Sequence, residues 1–412
     1  MADQVLRTRV DAVAADGPVR AWRVLLVASA LHVCNDAMFA VLYPLLPFMA
    51  AELGLSYSQV GLVKTLFSGS SAVLQLPAGL LAERWGEYGL LVWGNAWVAA
   101  GLLGIAAAGG FAAVLLAALL GGLGGNVQHP LAATMVARTY EGGRRATAIG
   151  TLNFAGDLGK IAAPAVVTLT LTGVAFGWRT SLLSLGLFGL LFSLLIGLAR
   201  RWARPPRVVP PSVEPAGSEA GSAVGAGGGR LVGAYWLLAG VGMLDTTTRA
   251  AALTFLPFAL QGRGFDVGTT SLVFGLLFVG GAVGKFVCGL LGEHVRPFTV
   301  VVITELTTAS ALLGLLWSPW ALVLGLAVVL GFGLNGTSSV LYAAVAALVP
   351  AGKRGRGYGL YYTASESAAA LAPLGYGLAA DHLGLTWTFL LMAVVTALVI
   401  PLSVPIRHKL AG

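Results

Sequence analysis

The sequence predicts an all-α integral membrane protein, with twelve transmembrane helices in two parallel six-helix bundles related by a pseudo-twofold axis. Three observations lead there. The 412 residues are 57% hydrophobic and 10% charged, against roughly 45–50% apolar and about 25% charged in soluble domains. Apolar runs long enough for a hydrocarbon core of ~30 Å, which takes about 20 helical residues, occur twelve times. The second six repeat landmarks of the first at a nearly constant distance. Alternating segments of ~10 residues, the mark of a membrane β-barrel, are not visible.

In order, the runs are 23–50, 57–82, 89–109, 111–138, 147–172, 178–199, 231–260, 269–291, 297–316, 319–349, 357–380 and 385–406. The first is too long for the core of a secretory signal and is read as a retained span. Residues 1–22 form a polar tail, 23–199 a first bundle, 200–229 a Pro, Ser, Gly and Ala-rich flexible linker, 230–406 a second bundle and 407–412 a second tail. Of the 25 basic residues, nineteen fall on the side of the termini, two (Arg179 and Arg263) on the other side and four inside spans. Both termini are therefore expected in the cytoplasm of a cell whose inner membrane the chain crosses. The net charge of +8 is carried in these short clusters, with no basic helix or aromatic-basic interleaving, so nucleic acid is not expected as a partner. Cys34 and Cys288 lie in separate apolar stretches and read as small core residues.

The repeat is the strongest organising signal. Asp36 matches Asp245 at 209 residues, Pro47 matches Pro257 at 210, and Gly79-Leu-Leu-Ala-Glu83 matches Gly289-Leu-Leu-Gly-Glu293 at 210. Asn126 and Asn335, Gly150 and Gly359, Asp157 and Glu366, and Pro164 and Pro373 all stand 209 apart. Six spans per copy give both copies the same orientation, an arrangement suited to one half rocking against the other.

Nine ionisable residues fall inside spans: Asp36, Asp157, Asp245, Glu305, Glu366, Lys64, Lys160, Arg249 and Lys285. Each would cost about 2.5–3.5 kcal/mol at the bilayer centre on insertion scales, so together they imply a wet chamber or mutual pairing. Asp157 and Lys160 are three apart and Asp245 and Arg249 four apart, so each pair shares a helix face. A pair of this kind either serves transport or merely neutralises itself and fixes packing. Asn153 extends the first stripe, and Lys64, Ser68, Ser71 and Gln75 form another. His32 and Asp36 are one turn apart, with Asp36 about 20 Å into its span. A carboxylate beside a histidine in a dry site can carry a proton, and with His129 a His-Asp-His cluster forms if spans one and four meet. Glu366 has no basic neighbour on its own face, where Tyr358 and Tyr362 precede it. It is a proton carrier or pairs with Lys64 or Lys285. Glu305 reads as a packing contact near the cytoplasmic face. Small residues at Gly121–Gly125 and Gly275–Gly284 let helices approach and slide.

Twelve spans, a central linker, the parallel duplication and the sequence GLLAERWG (Gly79 to Gly86), with its counterpart GLLGEHV, make the chain resemble the major facilitator superfamily. The loop departs from the family pattern, with Glu83 where Asp is usual and Glu87-Tyr88 where basic residues are usual. Within it, HVCND (His32 to Asp36) and NVQHP (Asn126 to Pro130) resemble the fosmidomycin-resistance type of exporter. The resemblance implies that spans one, four, seven and ten line the chamber.

By their chemistry as intramembrane acids and a neighbouring histidine, Asp36, Glu366, Asp157 and His32 are expected as proton-coupling residues. His129, Asn126, Arg249, Asp245, Lys160, Asn335 and Tyr362 would bind substrate, and Gly79, Glu83, Arg84, Gly86 and Glu293 would form a gating loop. The implied activity is proton-coupled export of a small organic molecule by alternating access, in a monomer. Symport of an organic anion into the cell, a non-transporting receptor or scaffold, and a channel are the alternatives. Phosphate loops, zinc spacings, nucleophile elbows and haem signatures are absent from the sequence, so neither a cofactor nor enzymatic chemistry is expected.

Overall fold

A computed structural model describes residues 17–73, 81–82, 84–125, 127–140, 143–172, 177–203, 228–349 and 354–408. Of the expected linker, 204–227 lies outside them. Span one comprises Gly17–Ala40 and Leu42–Leu53, joined through Val41. Span two is described over Tyr57–Val73, span three is Glu87–Ala107, and span four is split into Phe111–Gly122 and Gln128–Ala137. Spans five to seven are Gly143–Leu171, Trp178–Leu198 and Gly228–Gly262. Spans eight to twelve are Val267–His294, Pro297–Trp317, Trp320–Leu348, Arg354–Leu383 and Leu385–Ser403. The continuous fourth span read from the sequence is therefore corrected. Glycine costs about 1 kcal/mol in a helix interior, and the run Gly121–Gly125 concentrates that cost at one point.

Eight helices among the described residues are long and apolar enough to cross a membrane. The others fall short for visible reasons. Span two is described for only 17 residues, span four is divided, and spans seven and eleven carry DTTTR (Asp245 to Arg249) and the polar stretch around Glu366.

The duplication recurs in the packing. Span one lies along five as seven lies along eleven, three along six as nine along twelve, and two along four as eight along ten. Prolines sit inside helices at Pro47 and Pro257, and at Pro164 and Pro373. Gly54 (φ 62°) and Gly264 (φ 85°) end spans one and seven in the left-handed conformation, which glycine adopts without a Cβ penalty. These two also stand 210 residues apart. Among the described residues the most extensive contacts between the halves run along two seams, one between spans five and eight and its mate between spans eleven and two.

Buried apolar side chains fall into three clusters among the described residues. The largest draws on both halves, from Leu42, Leu45 and Met49 of span one to Phe255, Leu256 and Phe274 of spans seven and eight. It occupies the end of the bundle away from the termini, here called the far face. At the terminal face each half has its own cluster, around Leu31, Leu91 and Val136 in the first and Leu238, Val301 and Leu341 in the second. The halves thus share a core at the far face and keep separate cores at the terminal face, where the space between them opens. Trp22, Trp93, Trp236, Trp320 and Trp387 stand exposed on the outside, as in the aromatic belts of membrane proteins.

Candidate functional site

Where the shared core gives way to the separate ones, the ionisable side chains gather. Glycine makes this geometry in the first half. A Cβ at Gly159 would stand 2.1 Å from the Val33 carbonyl oxygen, and one at Gly156 would stand 2.7 Å from His32 Nε2 and 2.8 Å from Asp36 Oδ2. Spans one and five therefore approach closely enough for their polar stripes to meet. Lys160 Nζ lies 3.1 Å from Asp36 Oδ2 and 3.1 Å from Asp157 Oδ1. Lys285 crosses from span eight to donate to both oxygens of Asp157, at 2.7 and 3.0 Å. His32 Nε2 and His129 Nε2 stand 3.6 and 3.9 Å from Asp36 Oδ1, their rings edge to face at 4.7 Å. The expected His-Asp-His cluster of spans one and four is present, joined by the i, i+3 pair of span five.

The ligand atoms of His32, Asp36 and His129 lie within 4.8 Å of one another, a spacing that could suit a three-ligand cation site. The Lys160 ammonium already holds the other oxygen of Asp36, so the cation's place is filled by a side chain. Two lysines and two aspartates make the network neutral. Its lysines are the accessible members, with the side chains of Lys160 32% and Lys285 35% exposed, whereas the Asp157 side chain is 9% exposed.

The second half is arranged differently. Arg249 lies in electrostatic reach of Asp245, Glu366, Tyr342 and Tyr362. Tyr342 stacks on Tyr362 at 6.3 Å and meets Tyr361 edge to face at 5.7 Å. Glu366, Tyr362, Arg249 and Asn335 are half-buried, and the Asn335 amide donates to its own helix at Gly331.

Glu305, expected as a peripheral packing contact, is instead 1% exposed. The Thr337 hydroxyl lies 2.8 Å from its carboxyl, and the carboxyl reaches Asp245. Only tertiary structure, which brings spans seven, nine and ten together, reveals this residue. The reading in which Glu366 pairs with Lys64 or Lys285 is also corrected. Lys285 is taken by Asp157, and Lys64, 3% exposed, faces three rings. Its Nζ is 4.2 Å from the Tyr43 centroid, 5.7 Å from Phe67 and 5.9 Å from Phe39. These π faces stabilise an ammonium in place of an acid.

Asn126, Gly79 and Glu83 lie outside the described residues, as does the side chain of Glu293. Arg84 is exposed, and Gly86 (φ 80°) turns the chain into span three. Glu87, which departs from the family pattern, pairs with Arg138 at 2.8 Å, and the Tyr88 hydroxyl donates to Ile196. Both contacts stay within the first half.

At the far face Asp381 of span eleven accepts from the backbone N–H groups of Tyr57 (2.8 Å) and Ser58 (3.0 Å). It thereby caps span two across the halves. A cavity of about 410 Å³ beside Arg263, Asp266 and Trp320 lies at the same face, with none of the central ionisable groups in its lining.

The family model described as Major Facilitator Superfamily matches residues 28–238 and 236–411. The fosmidomycin resistance protein of Escherichia coli (strain K12) is 32% identical over 133 residues, a match that spans about a third of either chain (32% of each). The uncharacterized MFS-type transporter YfnC of Bacillus subtilis (strain 168) is 24% identical over 94% of each chain. A probable sulfoacetate transporter, SauU, of Cupriavidus necator (strain ATCC 17699 / DSM 428 / KCTC 22496 / NCIMB 10442 / H16 / Stanier 337) is 27% identical over 61% of this chain and 60% of its own. Among solved structures, a bacterial homolog of the human lysosomal transporter Spinster, inward-facing and occupied, superposes with a TM-score of 0.77 at 16% identity. That match covers 94% of this chain and 96% of the other.

Proposed function

Because the chain belongs to the major facilitator superfamily, we propose that it is a proton-coupled secondary transporter that moves a small organic anion by alternating access. One observation carries this reading: the network of Asp36, Lys160, Asp157 and Lys285 is built from both halves and faces the space between them with its amines. Partly exposed ammonium groups recognise a carboxylate, sulfonate or phosphonate head, and acids held beside histidines load and release protons. The distribution of basic residues supports cytoplasmic termini, so the space would open to the cytoplasm. Likeness to a fosmidomycin resistance protein supports export in exchange for protons.

A second reading, co-transport of anion and proton into the cell, rests on the neutrality of the network. An added anion leaves one uncompensated charge in a poorly solvated site unless a proton arrives with it.

Purified protein in liposomes, offered sulfoacetate under imposed pH gradients of either sign, tests both readings. We expect saturable flux driven by the proton gradient, whose sign separates exchange from co-transport. Asp36→Asn should reduce the driven flux to background while leaving folded yield near normal. Flux unaltered by the substitution would remove Asp36 from the mechanism. Absence of flux for a panel of organic anions would favour a receptor or scaffold, and conductance that does not saturate would favour a channel.

A further inference from the structure

Resting on the anion-transport reading and deepening it, we propose that Asp157 is a tethered occupant of the substrate's anionic subsite. The substrate's head takes its place on Lys285 and in doing so releases the tie between the halves. Lys285 holds both oxygens of Asp157 at 2.7 and 3.0 Å, the arrangement an ammonium would offer to a free carboxylate. The pair is also the one ion pair that joins the halves among the described residues.

Its two members are unequally committed. Asp157 has a second cation, Lys160 at 3.1 Å, which lies on its own span. Lys285 has no acid other than Asp157 within ion-pair distance among the described residues. An incoming anion can therefore exchange places with Asp157 while each lysine keeps an acid and each acid keeps a cation, the one added negative charge being shared over Lys160, Asp36 and Asp157 and balanced when a proton joins them. Lys285 gains the substrate, and Asp157 keeps Lys160. Without Lys160 the exchange would strand a carboxylate in a dry site, at heavy cost.

Exposure gives the exchange a direction. The side chain of Lys285 is 35% exposed and that of Asp157 only 9%, so a ligand arrives at the lysine. The groups facing the exchange are Lys160 from span five, His32 and Asp36 from span one, His129 from span four and Lys285 from span eight, with Arg249 of span seven and Glu366 of span eleven in electrostatic reach of Lys285 and Lys160. The ligand is thus a compact carboxylate, sulfonate or phosphonate head that ends in a single charge. Occupancy and the seam between spans five and eight become one equilibrium, because the anion binds only where Asp157 has let go.

The test uses the full chain purified in detergent, with sulfoacetate and D-glucuronate as probes titrated by calorimetry in chloride-free buffer. Asp157→Asn removes the internal competitor, and we expect both probes to bind at least tenfold more tightly than to the unsubstituted chain. Lys285→Gln should weaken them at least tenfold, and Lys285→Arg should restore them. A second readout is the rate at which Ser58→Cys, placed in the far-face seam, reacts with a charged maleimide. Sulfoacetate should accelerate labelling, and Asp157→Asn should label fast without it. Asp157→Ser provides the same readouts should the asparagine variant be poorly folded.

Weaker probe binding in both Asp157 variants would make Asp157 a ligand and overturn the exchange, as would unchanged affinity and labelling. Liposome flux separates the two levels. Flux with unchanged Asp157→Asn affinity defeats the exchange alone. Absence of both flux and binding in every form defeats the transport reading with it.

Discussion

The two seams between the halves occupy equivalent places under the pseudo-twofold, yet they are fastened by opposite means. Between spans eleven and two the backbones nearly touch. A Cβ at Gly61 would stand 2.1 Å from the Pro373 carbonyl oxygen, one at Gly377 would stand 2.5 Å from that of Tyr57, and Asp381 caps the end. Between spans five and eight the fastening is an ion pair at mid-depth with amines open to the central space. Duplication preserved the helical frame, with its prolines and left-handed glycines, and left the side chains free to diverge. One seam became a close steric contact and the other a chemical contact that a ligand can enter.

Three substitutions sharpen that contrast. The largest effect is expected from Lys160→Ala, which leaves Asp36 and Asp157 short of a shared cation. Breaking a buried ion pair from one side costs about 3–5 kcal/mol, read as a fall in the melting temperature of the purified protein. A drop no larger than that of a surface lysine variant would show that the network is solvated and independent.

Gly61→Ala should act on the other seam, overpacking it by about 1–3 kcal/mol. Because the new methyl meets backbone, which yields less easily than a side chain, the halves should separate at the far face and Ser58→Cys should label faster. Unchanged labelling would mean that the seam flexes.

The smallest effect is expected from Asp381→Asn, at about 1 kcal/mol for a lost cap. It is read as a small fall in the melting temperature of the purified protein, and a fall as large as that of Lys160→Ala would show that this cap, rather than the ion-pair network, holds the halves together.

Much of this was legible in the sequence because membrane burial makes polar residues conspicuous. The repeat, the twelve spans and the shared face of Asp157 and Lys160 are local or periodic properties. What escaped needed three dimensions. The reach of Lys285 across to Asp157 joins residues 128 apart, and Glu305 reads as peripheral until Thr337 and Asp245 are seen around it. Lys64 invites an acid partner by charge alone, whereas the structure supplies rings. The break in span four was signalled by its glycines, but tight packing and helix interruption have the same sequence signature.

The shared apolar core at the far face has a thermal consequence. A closure built from Leu42, Met49, Phe255 and Phe274 is held by contact area rather than by directional bonds, so it can part and rejoin without orphaning donors or acceptors. Any motion that wets it exposes hydrocarbon and raises the heat capacity. The turnover rate of such a device should bend on an Arrhenius plot, with the steepest dependence at the warm end, and the bend should flatten when large residues of that core are trimmed.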